Sequence, residues 1–419
     1  MHATLSVLPI GHMSVYMSFF SQIQPAPEDP ILGLNARYHA DPRPEKVNLG
    51  IGIYYDENAH IPLLASVQAV EEQLLHERLP RNYLPIDGLA RYNQATLKLV
   101  FGDNPLVASR RATCIQTIGS SAALRVGAEC LKHLLPHASV AISAPSWDNH
   151  TMIFKAAGYT VHRYRYYDPT THGVCFREMI DDLSRLEPAT VVLLHACCHN
   201  PTGADLTREQ WLRIAQCVKD RQLFPFVDMA YQGFSQGLEE DAFAARVFAQ
   251  NGVDNYFVAN SYSKIFALYG ERVGALSIVT PDARQTAAVV SVAKHVIRSL
   301  YSSPALHGAH LVAGVLLSPN LYQQWESELA LMRCRLDGLR HHLVDQLTKL
   351  GHPSFGFIKE QSGMFSFSGL SAKQVDTLRT THGIYMIQNG RLCLAGLNAT
   401  NMQRVATAIA AVCDGQFIG

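Results

Sequence analysis

Lys264 closes the segment Asn260-Ser261-Tyr262-Ser263-Lys264, which places one amine among hydroxyls, and Arg272 follows in Gly270-Glu271-Arg272-Val273-Gly274. A lysine amine attacks an aldehyde only when deprotonated, and burial beside other positive charge lowers its pKa toward that state. Ser261, Ser263 and Arg272 supply the hydroxyl and guanidinium donors that suit a phosphate. Together they suit a phosphorylated aldehyde held by Lys264. A lone Ser-x-Ser-Lys is usually an ordinary surface lysine beside a salt-bridged arginine and decides nothing alone, so the weight falls on what accompanies it.

Asp228, in Val227-Asp228-Met229-Ala230-Tyr231, ends an apolar run. A carboxylate buried there needs a cationic partner. A protonated pyridine nitrogen is one, and keeping that nitrogen charged makes the ring an electron sink for a carbanion. Tyr231 would then bond a ring hydroxyl. Asn200, in His199-Asn200-Pro201-Thr202-Gly203, sits in a turn that can direct its amide toward a ligand oxygen. Gly119-Ser120-Ser121 opens an apolar helix whose free N–H groups form an anion site. Trp147 follows another apolar run and can stack on a flat ring. Taken singly, Asp228 reads as a helix cap, the Asn-Pro-Thr-Gly turn as a simple loop and Trp147 as core.

These groups need a scaffold that brings them to one place. Apolar runs at Ser139 to Ser143, Thr190 to Leu194, Leu223 to Val227, Tyr256 to Ala259 and Ala275 to Val279 alternate with amphipathic stretches. That alternation predicts an α/β fold with a mostly parallel sheet covered by helices. Ligands of such sheets gather at the carboxyl ends of the strands, where His195, Asp228 and Ser261 fall. From about Pro319 a long helical periodicity takes over, followed by short Gly- and Phe-rich strands, which predicts a second, smaller lobe.

Length and charge agree with two lobes and a small-molecule partner. A chain of 419 residues exceeds the roughly 250 to 300 at which one core stops growing. Lys plus Arg and Asp plus Glu both number 35, so no global field favours nucleic acid or an anionic membrane surface. Nine cysteines, an odd number without repeated CxxC spacing, argue for a reducing compartment, and the cytoplasm is the expected location. Residues 1–20 carry no Lys or Arg and read as a disordered extension, with Met17 as an alternative start. No metal site is expected.

With the motifs assembled, the chain from about Pro25 onward resembles the class I, fold-type I aminotransferases of the aspartate and aromatic amino acid kind. The resemblance rests on Asn48-Leu49-Gly50-Ile51-Gly52-Ile53-Tyr54, Asn82-Tyr83-Leu84-Pro85-Ile86-Asp87-Gly88, Cys197-Cys198-His199-Asn200-Pro201-Thr202-Gly203, Ser261-Tyr262-Ser263-Lys264 and Gly363-Met364-Phe365-Ser366-Phe367-Ser368-Gly369-Leu370, in that order. It implies a large pyridoxal-phosphate domain over 61–324 with a mostly parallel seven-stranded sheet, and a smaller α+β domain from 21–60 and 325–419.

By position, the resemblance implies Lys264 as the cofactor lysine and proton shuttle, Asp228 as the pyridinium partner, Asn200 and Tyr231 on the ring oxygen, and Trp147 stacked on the ring. Ser120, Ser121, Ser261, Ser263 and Arg272 would hold the phosphate, with Tyr83 reaching in from a second subunit of a homodimer with shared sites. Gly52 and Arg391 would meet the substrate, Arg391 clamping its α-carboxylate. Arg298 would come from the partner subunit to pair with a side-chain carboxylate. His150 and His195, near Trp147 and Asn200 in sequence, would orient Asp228 from behind, or else serve as structural histidines.

The implied reaction moves the amino group of aspartate and of aromatic amino acids to 2-oxoglutarate by ping-pong kinetics. Tyr55, Ile61, Ser121 and Ser303 are closer to aromatic-accepting relatives, while Ser120-Ser121-Ala122 and Leu300 depart from aspartate-specific ones. Accepting both kinds of side chain requires Arg298 to swing aside. The rivals are a strict aspartate aminotransferase, another pyridoxal-phosphate reaction such as β-elimination or decarboxylation, and a catalytically dead binding protein on the same fold.

Overall fold

The computed structural model describes residues 19–21, 23–25 and 28–415. All but the last two residues of the expected N-terminal extension lie outside them. Seven strands form the central sheet: β1 (Ala112–Thr117), β2 (Val140–Ala144), β3 (Val161–Arg165), β4 (Val191–His195), β5 (Phe224–Met229), β6 (Tyr256–Ser261) and β7 (Gly274–Val279). Their order is β1-β7-β6-β5-β4-β2-β3. The pairs β2–β3, β2–β4, β4–β5 and β5–β6 are parallel, and β7 runs antiparallel to both β6 and β1.

Every residue of β4, β6 and β7 is buried, as continuous apolar runs demand when helices cover both faces. Edge strand β3 is the exception: only Tyr164 is fully buried, and its Val-His-Arg-Tyr-Arg sequence carries no apolar run. That is why it and β1 escape a search for hydrophobic runs, whereas the five strands expected from sequence all form within two residues of their anticipated ends.

Register fixes the functional edge. His195 pairs across from Asp228, Asp228 from Ala259, Met229 from Asn260, and Ser261 from Gly274, which in turn faces Thr117. The strand ends that carry His195, Asp228 and Ser261 are thereby neighbours on one edge.

Four helices matter to the site. α1 (Leu32–Ala40) begins at Ile31, α2 (Ser120–Leu134) follows β1, α3 (Asp148–Ala156) follows β2, and α4 (Ala283–Leu300) follows β7. α2 packs its Ala123, Leu124, Val126, Ala128 and Leu131 face on the sheet.

The C-terminal third begins with α5, an unbroken 31-residue helix from Pro319 to Lys349. It passes straight through residue 325, where the sequence suggests a lobe boundary, so no loop separates the two parts there. Beyond it, β8 (Phe365–Phe367) pairs antiparallel with β9 (Arg391–Cys393), placing Phe365 opposite Cys393 and Phe367 opposite Arg391. Val47 and Asn48 pair with Ile384 and Tyr385, which ties the N-terminal segment to this region.

Candidate active site

At the carboxyl edge of the sheet a cavity of about 230 Å³ is lined by Gly52, Ser120, Ser121, Trp147, Asn200, Asp228, Tyr231, Ser261, Ser263, Lys264, Arg272 and Arg391. All twelve were singled out in the sequence. They come from eight separate segments between residues 52 and 391, so only the fold can assemble them. His195, Ala230, Ile31 and Phe365 complete the lining.

Asp228 is buried, and its Oδ2 lies 2.9 Å from His150 Nε2. His150 Nδ1 lies in turn 2.9 Å from Ser146 Oγ. Burial pushes the Asp228 carboxyl up, but the hydrogen bond from His150, with the Lys264 amine adding to it, outweighs burial and holds it below the usual range. Oδ1 of Asp228 is buried with no partner. His195 is packed 5.0 Å from the His150 ring, and burial, then His150, lowers its pKa to about 3, which keeps it neutral.

His150, His195 and Asp228 bring ligand-type atoms within 4.8 Å of one another. Both nitrogens of His150 are engaged, Nδ1 with Ser146 and Nε2 with Asp228, so these three form a hydrogen-bond relay, whereas both ring nitrogens of His195 are buried without a partner.

The Lys264 amine sits 5.1 Å over the Tyr231 ring. Burial, together with Arg272 and Arg391, lowers its pKa to about 8 against the opposing pull of Asp228. A sizeable neutral fraction exists near pH 8, as nucleophilic and base chemistry require.

The anion cradle lies at the start of α2. Arg272 Nη1 donates to Ser263 Oγ at 3.3 Å and to Tyr269 O at 3.1 Å. Gly119, the residue before α2, has φ +89° and passes so close to Arg272 that a Cβ there would stand 2.6 Å from Nη2. Only glycine adopts that backbone and leaves the guanidinium over the helix N-terminus.

Arg391 is the second arginine of the cavity. It is buried, its Nη2 donates to Gly50 O at 2.6 Å, its Nη1 donates to Asn200 Oδ1 at 3.1 Å, and its guanidinium carbon lies 4.2 Å from the Phe365 ring centroid. Its Nε has no partner, and no carboxylate pairs with it among the described residues. Asn200 thus spends its amide oxygen on Arg391.

Two sequence candidates stand apart. Tyr83 is almost fully exposed, and Arg298, on the last turn of α4, is exposed and bonded to Ser302 Oγ; neither lines the cavity of its own chain. Nor do Tyr55, Ile61 and Ser303. Ile31, Ala230 and Phe365 are the lining residues to which sequence reasoning gave no role. Phe365 lies inside a quoted motif but shows no chemistry by itself, and Ile31, remote in sequence from every other group, gives no signal at all.

A buried amine of lowered pKa, an anion cradle, a half-satisfied carboxylate and an unpaired arginine, on the carboxyl edge of an α/β sheet, define an enzyme that works on an amine or carbonyl carbon next to a carboxylate. The sequence profile of the family described as "Aminotransferase class I and II" matches residues 44–409, and the chain belongs to that family. It is an aminotransferase. The chain is 50% identical to an aspartate aminotransferase of Pseudomonas aeruginosa and 46% to an aromatic-amino-acid aminotransferase of Escherichia coli, each match covering 94% of this chain and all of the relative. Among solved structures, the aromatic-amino-acid aminotransferase of Burkholderia pseudomallei covalently bound to pyridoxal phosphate superposes with TM-score 0.92 at 51% identity, covering 94% of this chain and 100% of that one. That neighbour and the aspartate aminotransferase of the Saccharomyces cerevisiae cytoplasm, TM-score 0.93 at 35% identity, share the fold-type I architecture expected from sequence.

Proposed function

We propose that this enzyme transfers the amino group of L-aspartate and of aromatic L-amino acids, tyrosine and phenylalanine, to 2-oxoglutarate in two half-reactions, using pyridoxal 5'-phosphate. The observation that carries the reading is Arg391: a buried, bidentate-capable cation without a carboxylate of its own, facing the same cavity as the Lys264 amine.

The cavity fits the cofactor. The orphaned, buried Asp228 Oδ1 suits a protonated ring nitrogen, and Ser120, Ser121, Ser261, Ser263, Arg272 and the α2 N-terminus suit its phosphate. Tyr231 and Asn200 would meet the ring oxygen, and Trp147 a ring face. Bound there, pyridoxal phosphate supplies an electrophilic carbonyl carbon and an electron-withdrawing ring.

The chain's own residues do the rest. Arg391 orients the substrate by its carboxylate, and Gly52 closes the backbone beside it. The lowered pKa of Lys264 lets its amine take the proton from the substrate Cα. Asp228, held ionised by His150, keeps negative charge at the far end of the cavity.

Homodimerisation, with Tyr83 and Arg298 entering the partner's cavity, explains why these two stand outside their own. Mobility of the exposed Arg298 would let the site accept both acidic and aromatic side chains. We assign residues 61–324 to the cofactor-binding domain and 21–60 with 325–419 to the smaller one, and place the enzyme in the cytoplasm; no helix of the described residues is long and apolar enough to cross a membrane.

The test is a half-reaction. Cofactor-loaded enzyme mixed with tyrosine, or separately with aspartate, and no oxo acid, releases one oxo acid per site. Release with aspartate alone makes it a strict aspartate aminotransferase, and release with neither refutes the assignment.

A further inference from the structure

Arg340 lies on α5, outside the cavity, and is 2% exposed. Its Nη2 donates to Gly363 O at 2.9 Å and to Phe365 O at 3.3 Å, and its Nε is buried without a partner. No carboxylate forms an ion pair with it among the described residues. Burial lowers its pKa only to about 10, so it remains cationic at neutral pH. Burying an unpaired cation is costly. What this one makes in return are hydrogen bonds to two carbonyls of the segment that carries Phe365.

That segment is the floor beneath Arg391. The Phe365 ring meets the Arg391 guanidinium at 4.2 Å and the Tyr231 ring edge-on at 6.0 Å. Gly363, at φ +81°, lies so close to Cys198 that a Cβ would stand 2.5 Å from the Cys198 Cβ. The Cys198 loop is fixed from its other side by Asp205, whose carboxylate accepts from Cys198 N at 2.8 Å and His199 N at 2.9 Å, and the same loop presents Asn200 to Arg391. Ser362 N also donates to Gly203 O at 2.7 Å. Arg340 therefore anchors one wall, Asp205 the other, and Arg391 is held between the Phe365 ring and the Asn200 amide.

We infer that Arg340 is a positioning residue for substrate-carboxylate binding, fixing the backbone of Gly363 and Phe365 and, through the Phe365 ring, the guanidinium of Arg391. This rests on the reading of Arg391 as the carboxylate receptor. A residue of this kind affects ligands in proportion to their use of Arg391. It leaves the Lys264 chemistry untouched.

The experiment uses holoenzyme of Arg340→Met and Arg340→Lys. Two quantities are read: the inhibition constant of 3-phenylpropanoate, which has a carboxylate and no amine, and the single-turnover rates with phenylalanine and with phenethylamine, which has an amine and no carboxylate. Arg340→Met raises the inhibition constant roughly tenfold and slows phenylalanine, while phenethylamine stays within about twofold of the parent enzyme. Arg340→Lys, whose shorter ammonium reaches one carbonyl, gives a rise of roughly threefold. Equal losses with phenylalanine and phenethylamine, or inhibition constants within about twofold of the parent, overturn the role. If Arg340→Met does not fold, the Lys variant decides by the same limits. Arg391→Lys serves as the reference: if it leaves the inhibition constant unchanged, the receptor reading fails and this inference with it, whereas a rise there without one at Arg340 rejects only the positioning role.

Discussion

The carboxylate of Asp228 is divided between two duties: Oδ2 is 2.9 Å from His150 Nε2, while Oδ1 is buried and unpartnered at the cavity. One oxygen is spent on holding the group ionised, and the other is left for a ligand. Replacing Asp228 with Asn removes the charge and keeps the shape. Single-turnover rates with aspartate should fall by roughly 10²- to 10³-fold while far-UV circular dichroism stays unchanged.

Arg391→Lys keeps the charge and loses the fork. KM for every donor and oxo acid should rise by roughly tenfold or more, in aspartate and tyrosine assays alike, because the α-carboxylate is common to all of them. A loss confined to aspartate would place Arg391 at the side-chain end of the substrate instead.

The pKa of Lys264, about 8, lies below its ordinary value of 10.5. Folding therefore opposes protonation of this amine: the penalty is full below about pH 8 and disappears as the pH rises toward 10.5. In cofactor-free protein, Lys264→Met should be more stable than the parent at pH 7 by on the order of 1 to 3 kcal/mol, with the gap closing by about pH 10. Urea unfolding at both pH values measures it. A gap that widens with pH would contradict the sign.

The proposed sharing of sites between subunits gives a complementation test. Lys264→Ala lacks the amine, and Arg298→Gln lacks the guanidinium that would serve the partner's cavity. Mixed and re-equilibrated, the two should form heterodimers with one complete site, restoring about a quarter of parental aspartate activity. Without recovery, Arg298 does not act across a subunit boundary.

Steady-state kinetics with varied aspartate at several fixed 2-oxoglutarate concentrations should give parallel double-reciprocal lines, since the amino group leaves one substrate before the other binds. Intersecting lines would require both substrates bound together.

Much of this site was legible in the chain because its groups sit at strand ends, and buried parallel strands announce themselves as apolar runs. Asp228 and His195 follow such runs directly, Ser261 comes two residues after one, and Lys264 comes three residues after Ser261. Edge strand β3, with exposed His162, Arg163 and Arg165, has no such signature. The boundary expected at residue 325 has no local mark: α5 carries its periodicity through that position without a break, and a helix gives no local sign of where its packing partner changes.

The sequence by itself determined the kinds of groups available and their order, because residue type sets chemistry and hydrophobic period sets the local element. The tertiary structure alone decided that Phe365 lies under Arg391, that Arg340 anchors Phe365 from 25 residues away, that Asn200 faces Arg391, and that Tyr83 and Arg298 stay outside their own cavity. Such contacts join residues up to 191 positions apart, and no local preference of either partner encodes a distance that only the packing of the whole chain sets.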